Sequence, residues 1–436
     1  MNDLRRRAFE GEQRLLAGDP GAQSRWAALP AMIFCACALW APNAGALALR
    51  VPNQDAFAIA RGNAFVATAD NPSALYYNPA GITQLPGQNF QAGSLFYLGI
   101  YGDYDSPTGK KYRNDPEVLA VPSLQYTITP DEWPVSFGLG VYEPFGFSVK
   151  WPEDVPYRQE SLKGSLTYIT MNPVVAWKVL PTLSVGAGPT INYSRIDLVY
   201  GILGAPMPAY LADQTEFKGD AWSYGFNAGV LWQPLEQWSF GASYRSRSRM
   251  DYHGDFSVHH LPPTGLSSAA SGATSELNYP QILIGGVSYR PTPKWNLEFD
   301  VDWADWTSVR DLSLQGATIA GTPVPYYRKL DWDASFMYEF GVTRYFNNGY
   351  YLSAGYFFSQ ASTSSLYFTP MVPDTDLHIG SLGGGYKGKT WSWALALQII
   401  GGGYRSVTVD PSVNQNVNGR YRLFTPTLSF TVGYHF

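Results

Sequence analysis

From Leu423 to Phe436 the chain alternates without interruption. Phe424, Pro426, Leu428, Phe430, Val432, Tyr434 and Phe436 fall on one side, and Leu423, Thr425, Thr427, Ser429, Thr431, Gly433 and His435 on the other. Successive strand side chains point to opposite faces, so one face of this segment is apolar and the other largely small and polar. These fourteen residues exceed the ~5–6 of an ordinary soluble strand and reach the ~9–11 that a tilted strand needs to cross a bilayer. The same period recurs at Trp295, Leu297, Phe299, Val301 and Trp303, and at Trp391, Trp393, Leu395, Leu397 and Ile399, with aromatics near the ends of each run. Interfacial girdles of a membrane barrel have this arrangement.

Fourteen such segments begin near residues 88, 118, 133, 164, 181, 216, 238, 275, 294, 329, 349, 376, 390 and 420. Short connections rich in Pro, Gly or Asn (130–134, 180–181, 233–237, 290–294, 346–349, 387–389) alternate with long ones (103–117, 149–163, 200–215, 257–274, 316–328, 363–375, 409–419). Short periplasmic turns facing long outer loops are the asymmetry of an outer-membrane barrel. The expected class is all-β: a 14-stranded antiparallel transmembrane β-barrel in the outer membrane of a Gram-negative bacterium. Composition agrees, with only 15% charged residues against about 25% in soluble proteins, and 15% aromatics.

The N-terminus carries Arg5-Arg6-Arg7, the apolar run Trp26–Trp40 and small residues at Ala44–Ala48, the layout of a signal peptide over 1–46 cleaved near Ala46 or Ala48. Cys35 and Cys37 fall inside it, which leaves no thiol or disulfide chemistry downstream. The first 48 residues hold five Lys/Arg and four Asp/Glu, so 25 basic and 31 acidic residues remain, a balance that offers nothing to nucleic acid. No later stretch is long and apolar enough for a membrane helix of ~20 residues.

Fourteen strands enclose a lumen wider than side chains alone fill. Residues 47–87 lack the alternation, and Asn78-Pro79-Ala80-Gly81 is dense in breakers, since Pro has no N–H and Gly tolerates positive φ. This segment reads as a small, partly helical hatch inside a barrel of residues 88–436.

At this point the chain resembles the FadL family of outer-membrane transporters for long-chain fatty acids and other hydrophobic compounds. Ala67–Asp70 followed by Tyr77–Thr83 is similar to the family's hatch, marked by Asn-Pro-Ala. Gly138–Gly146 (GLGVYEPFG) is similar to its interrupted third strand, and Trp303–Trp306, Leu330–Asp333 and Pro373–Asp376 to its later signatures. The resemblance implies capture of a hydrophobic small molecule by outer loops and its sideways release into membrane lipid through a kinked third strand beside the hatch.

The residues support such a break: Pro144 removes a ladder donor, Gly146 weakens the strand, and Phe145 is expected to line the opening. The Asn78–Gly81 turn is expected to neighbour it as a hinge. Ile202, Leu203, Met207, Tyr210 and Leu211 make an outer loop apolar enough for substrate capture, together with the loop after His259. Arg245, Arg247 and Arg249 are expected on one inward face, opposite inward Glu298, Asp300 and Asp302, with Asp331, Asp333 and Glu339 also inward, as a charge lattice bracing the lumen. Terminal Phe436 suits the outer-membrane assembly machinery, and a monomer is expected. The alternatives are a general diffusion porin, which a hatch opposes, and a barrel-embedded lipase. Five histidines without a Ser-centred motif make an enzyme, cofactor or metal site a poor fit.

Overall fold

The computed structural model describes residues 49–202, 214–259, 270–319, 322–323 and 326–436; the signal segment, Leu203, Met207, Tyr210, Leu211 and His260 lie outside them. Fourteen antiparallel strands form the wall. The first six are β1 (Gly87–Tyr97), β2 (Leu119–Thr129), β3 (Val135–Lys150), β4 (Lys163–Leu180), β5 (Leu183–Gly201) and β6 (Gln214–Leu235). β7 runs as Trp238–Arg245 and Ser248–His259, and β8 as Ala270–Tyr279 and Ile282–Thr292. The circuit continues through β9 (Trp295–Ala304), β10 (Ser335–Tyr345), β11 (Tyr350–Ser359), β12 (Leu377–Lys387), β13 (Trp391–Gly401) and β14 (Gly419–His435). β14 pairs with β1 from Asn89↔His435 to Tyr97↔Thr427 and closes it. Closure leaves no edge, which is what lets strands cross hydrocarbon with their backbone groups satisfied.

The wall is inverted relative to a soluble protein. Trp222, Tyr224, Leu397, Ile399 and Phe430 are exposed on the outside, whereas Gln398, Thr427, Ser429 and Thr431 are buried inside. The interruptions in β7 and β8 change which residues face inward. β6 and β7 pair at Asp220↔His253 and again at Asn227↔Arg245, so residues 221–226 oppose residues 246–252, one more on β7. One extra residue flips the face of everything beyond it. Arg245 therefore points inward, Arg247 is half exposed against Asp305 (2.8 Å), and Arg249 faces out to Asp251 (2.8 Å) and Glu276 (3.0 Å). The three arginines do not share an inward face. Asp331 and Asp333 are also exposed, lying ahead of β10 rather than on it, while Glu339 is buried.

The hatch consists of α1 (Ala56–Ala60), α2 (Ala74–Tyr77) and a 3-10 turn over Pro79–Gln84. Helices of five and four residues are far below the length that is stable alone, so the wall must hold them. Asn78 caps the 3-10 turn by accepting from Ala80 N (3.2 Å), and its amide donates to Val66 O (2.8 Å) and to Val230 O on β6 (3.0 Å). Wall glycines make room. A Cβ at Gly186 would lie 2.7 Å from Pro79 C, one at Gly229 2.2 Å from Asn78 Oδ1, and one at Gly355 2.0 Å from Gly62 N. The Asn-Pro-Ala turn thus rests on β5 and β6, and the hatch residues that pair with the break in β3 are Leu49–Val51.

Gly229→Leu is expected to unseat the hatch while leaving the barrel able to assemble, raising single-channel conductance in planar bilayers. Gly285→Leu, whose Cβ would meet nothing within 4 Å, is expected to conduct like the wild type.

Candidate functional site

β2 pairs with β3 only from Leu124↔Val141 to Ile128↔Phe137. Beyond that point Leu119–Ser123 still pair with β1 but not with β3, and contact returns where Asp115 N donates to Lys150 O (2.8 Å). Across the same stretch β3 slips against β4 between Tyr142 and Phe145, with Glu143 and Pro144 in the bulge. The wall therefore has a gap between β2 and β3. Peptide groups freed there still need partners, and the hatch supplies them. Gly146 N donates to Leu49 O (2.8 Å) and Val51 N to Pro144 O (2.9 Å). The Gln54 amide donates to Glu143 O (2.7 Å) and accepts from Glu143 N (3.3 Å).

A cavity of about 420 Å³ opens at this gap. Leu119, Val121, Phe147, Leu166, Met371 and Leu377 give it an apolar lining, and Arg50, Lys163, Glu117, Glu143 and Asp374 are its charged members. Gly146 lies on it, but Phe145 does not line the opening as expected. The bulge turns Phe145 inward, 2% exposed, with its ring 5.1 Å from Tyr168 and 4.9 Å from Tyr279. Met371 comes from the connection between β11 and β12, and Leu377 is the first residue of β12. Asp374 folds that connection by accepting from Ser362 N (2.9 Å) and Thr363 N (3.1 Å), and Trp151 Nε1 donates to Pro370 O (2.9 Å).

Behind the gap the hatch is latched to β9. Glu298, Asp300 and Asp302 lie two residues apart and share the inward face. Asp300 Oδ2 accepts from Phe65 N (2.7 Å) and Val66 N (2.9 Å), and Glu298 Oε1 from Ala67 N (2.8 Å) and Thr68 N (3.0 Å). Glu298 also pairs with Arg61 (3.0 Å), and Asp302 with Arg50 (2.5 Å). The acids are met by the hatch's own arginines and not by β7. Arg245 instead lies over the rings of Tyr76 (4.9 Å) and Tyr142 (5.2 Å) and donates to Tyr142 Oη (3.2 Å). At the short-turn end, burial opposes charge on Asp70, yet Lys387 (3.1 Å) and Arg290 (3.8 Å) hold its carboxyl below the usual range.

A closed 14-strand wall of this kind has known counterparts. The sequence matches the outer membrane protein transport protein family (OMPP1/FadL/TodX) over residues 35–417. The chain belongs to this family. It is an outer-membrane transporter of hydrophobic compounds, in a family of transport channels rather than enzymes. The long-chain fatty acid transport protein of Escherichia coli K12 is 22% identical over 350 residues, covering 71% of this chain and 77% of the relative. Outer membrane protein P1 of Haemophilus influenzae is 22% identical over 365 residues, covering 74% and 78%. A solved Pseudomonas aeruginosa FadL homologue aligns with a TM-score of 0.76 at 19% identity, over 89% of this chain and 100% of that one. The toluene transporter TbuX of Ralstonia pickettii aligns at 0.67 and 16%, over 88% and 98%. At such identities the solved structures speak for the fold alone.

Of the expected capture loop, Ile202 is described: it packs against the large apolar cluster, and its carbonyl accepts from Gln159 (2.8 Å). Arg50, Gln54 and Arg61 were missed because the hatch has no periodicity to assign a face. The two arginines were nonetheless the hatch's strongest hint, being charged residues in a segment destined for burial.

Glu298→Ala strips two hatch N–H groups of their acceptor and leaves Arg61 buried without a counter-ion, a loss of about 3–5 kcal/mol. Hydrogen exchange is expected to accelerate at Phe65–Thr68 while the strand amides stay protected.

Proposed function

We propose that this transporter carries long-chain fatty acids or similar acyl amphiphiles, releasing them sideways into the membrane through the β2–β3 gap. The observation that supports this most is that an apolar cavity and a break in wall pairing coincide. A hydrophobic chain gains about 0.8 kcal/mol for each methylene kept out of water, so a route lined from lumen to lipid avoids repeated wetting. A wet pore gives no such advantage. In this reading Pro144 and Gly146 keep the gap open, Phe145 braces it from the lumen side, and the Asn78–Gly81 turn fixes the hatch. Ile202, Leu203, Met207, Tyr210 and Leu211 form the capture surface. Lys163, partly exposed at the cavity beside Asp197, suits a carboxylate head, because ammonium groups bind carboxylates through charge-assisted hydrogen bonds. The names of the curated relatives agree with the fatty-acid class. A toluene transporter among the structural neighbours supports a monoaromatic as the second reading.

Gly146→Phe fills the cavity with little backbone cost, since a Cβ there would approach Leu166 O no closer than 3.4 Å. Oleate uptake by a deletion strain carrying this variant is expected to fall about tenfold, with normal amounts of folded barrel. Wild-type uptake would remove the lateral route. Ligand extracted from the purified protein and weighed by mass spectrometry decides between acyl and aromatic cargo.

A further inference from the structure

We propose that the outer face of the barrel carries, at the top of β14, a binding site for a phosphate-bearing lipid of the outer leaflet. The site lies on the opposite side of the wall from the cavity and does not rest on the transport reading.

The outward side chains of β14 are apolar at Phe430, Leu428, Pro426 and Phe424, and become cationic at Arg422 and Arg420 on the long-loop side. Two strand residues span about 7 Å. Arg422 therefore sits one pleat above the last lipid-facing aromatic, at headgroup height. The neighbouring hairpin of strands Tyr101–Asp105 and Lys111–Arg113 completes a cluster. Asp103 pairs with Arg113 (2.7 Å) and Arg422 (2.7 Å), and Asp105 with Arg420 (2.7 Å) and Lys111 (3.9 Å). Four cations surround two carboxylates, leaving two positive charges in excess.

The burial within the cluster is lopsided. The two carboxylates are 15% and 10% exposed, while the four cations are 40–74% exposed. The acids thus act as the base on which outward-facing donors are held. A guanidinium has five N–H donors, so one carboxylate cannot exhaust it. Arg420 and Arg422 are further fixed over the Tyr404 ring, at 4.9 and 5.0 Å.

Beside these cations lies an outer groove of about 610 Å³, with Gly401, Gly402, Phe424 and Pro426 in its walls and Arg113 and Arg422 among its charged members. The groove exists because β13 ends in consecutive glycines where the rest of its outer face carries bulky apolar side chains. A cationic rim at headgroup height beside an apolar trough matches an acyl chain joined to a phosphate. Arginine prefers that partner for its bidentate geometry. Inorganic phosphate would leave the trough unused, and an acidic protein would have to reach into hydrocarbon to fill it.

The test uses the full protein in nanodiscs of neutral phosphatidylcholine, titrated with bisphosphorylated lipid A and followed by native mass spectrometry. One lipid A is expected to bind in preference to phosphatidylcholine, without displacement by inorganic phosphate. The double variant Arg113→Gln, Arg422→Gln is expected to bind about thirtyfold more weakly, in line with the loss of two cations near a lipid surface. Gly401→Phe fills the trough from outside, its Cβ 3.6 Å from Phe424, and is expected to weaken binding with all four cations in place. Unchanged binding in both variants, displacement by inorganic phosphate, or no preference over phosphatidylcholine would each overturn the site.

Discussion

Two carboxylates on one strand organise this molecule. Glu298 and Asp300 accept four consecutive backbone N–H groups, from Phe65 to Thr68, and so fasten a segment that cannot fold alone to a wall that is otherwise complete. Charge-assisted hydrogen bonds in a dry interior are stronger than neutral ones, but two buried acids are costly unless compensated. Arg61 provides that compensation at Glu298, the Phe65 and Val66 N–H groups satisfy Asp300, and Arg50, also from the hatch, pairs with Asp302 next on the same face. The hatch and β9 therefore need each other. Without the hatch the lumen holds uncompensated acids, and without the acids the hatch has no fixed position.

That fixed position shapes the gap. A strand break inside a membrane is tolerable only if the released backbone groups find partners. Leu49–Val51 and Gln54 are those partners, and they reach β3 because the next part of the hatch is pinned to β9. The opening is thus a built feature rather than a packing defect. Its far side is closed by Met371, which the folded β11–β12 connection delivers into the barrel, and by Leu377 at the start of β12. Cavity, break and latch form one connected arrangement.

The strand count, the alternation of long and short connections, the closed barrel and a plugged lumen were legible in the sequence, because membrane strands repeat with a period of two over long stretches. Orientation across an interruption was not. Arg249 was assigned inward by counting in twos from Arg245, and one extra residue near Ser246–Arg247 reverses that count. Phe145 was misplaced for the same reason, by the bulge at Glu143–Pro144. Both interruptions contain or adjoin residues that signal them, Pro144 and the Ser246–Arg247–Ser248 run, yet neither says by how many residues the register moves. Hatch contacts were hidden differently. Those to β9 join residues more than two hundred positions apart, and no local pattern marks Arg61 as the partner of Glu298.

Where a hydrophobic molecule leaves the protein decides between lateral and periplasmic release. A long-chain fatty acid with a diazirine near its methyl end, irradiated during uptake and mapped by peptide mass spectrometry, tests this most directly. Labels are expected on Leu119–Val121 and on Phe147, the two sides of the gap. Labelling that avoided both and fell instead around Tyr345, Tyr351 and Tyr386 in the crevice at the short-turn end would mean exit past the hatch into the periplasm, and would contradict the lateral route.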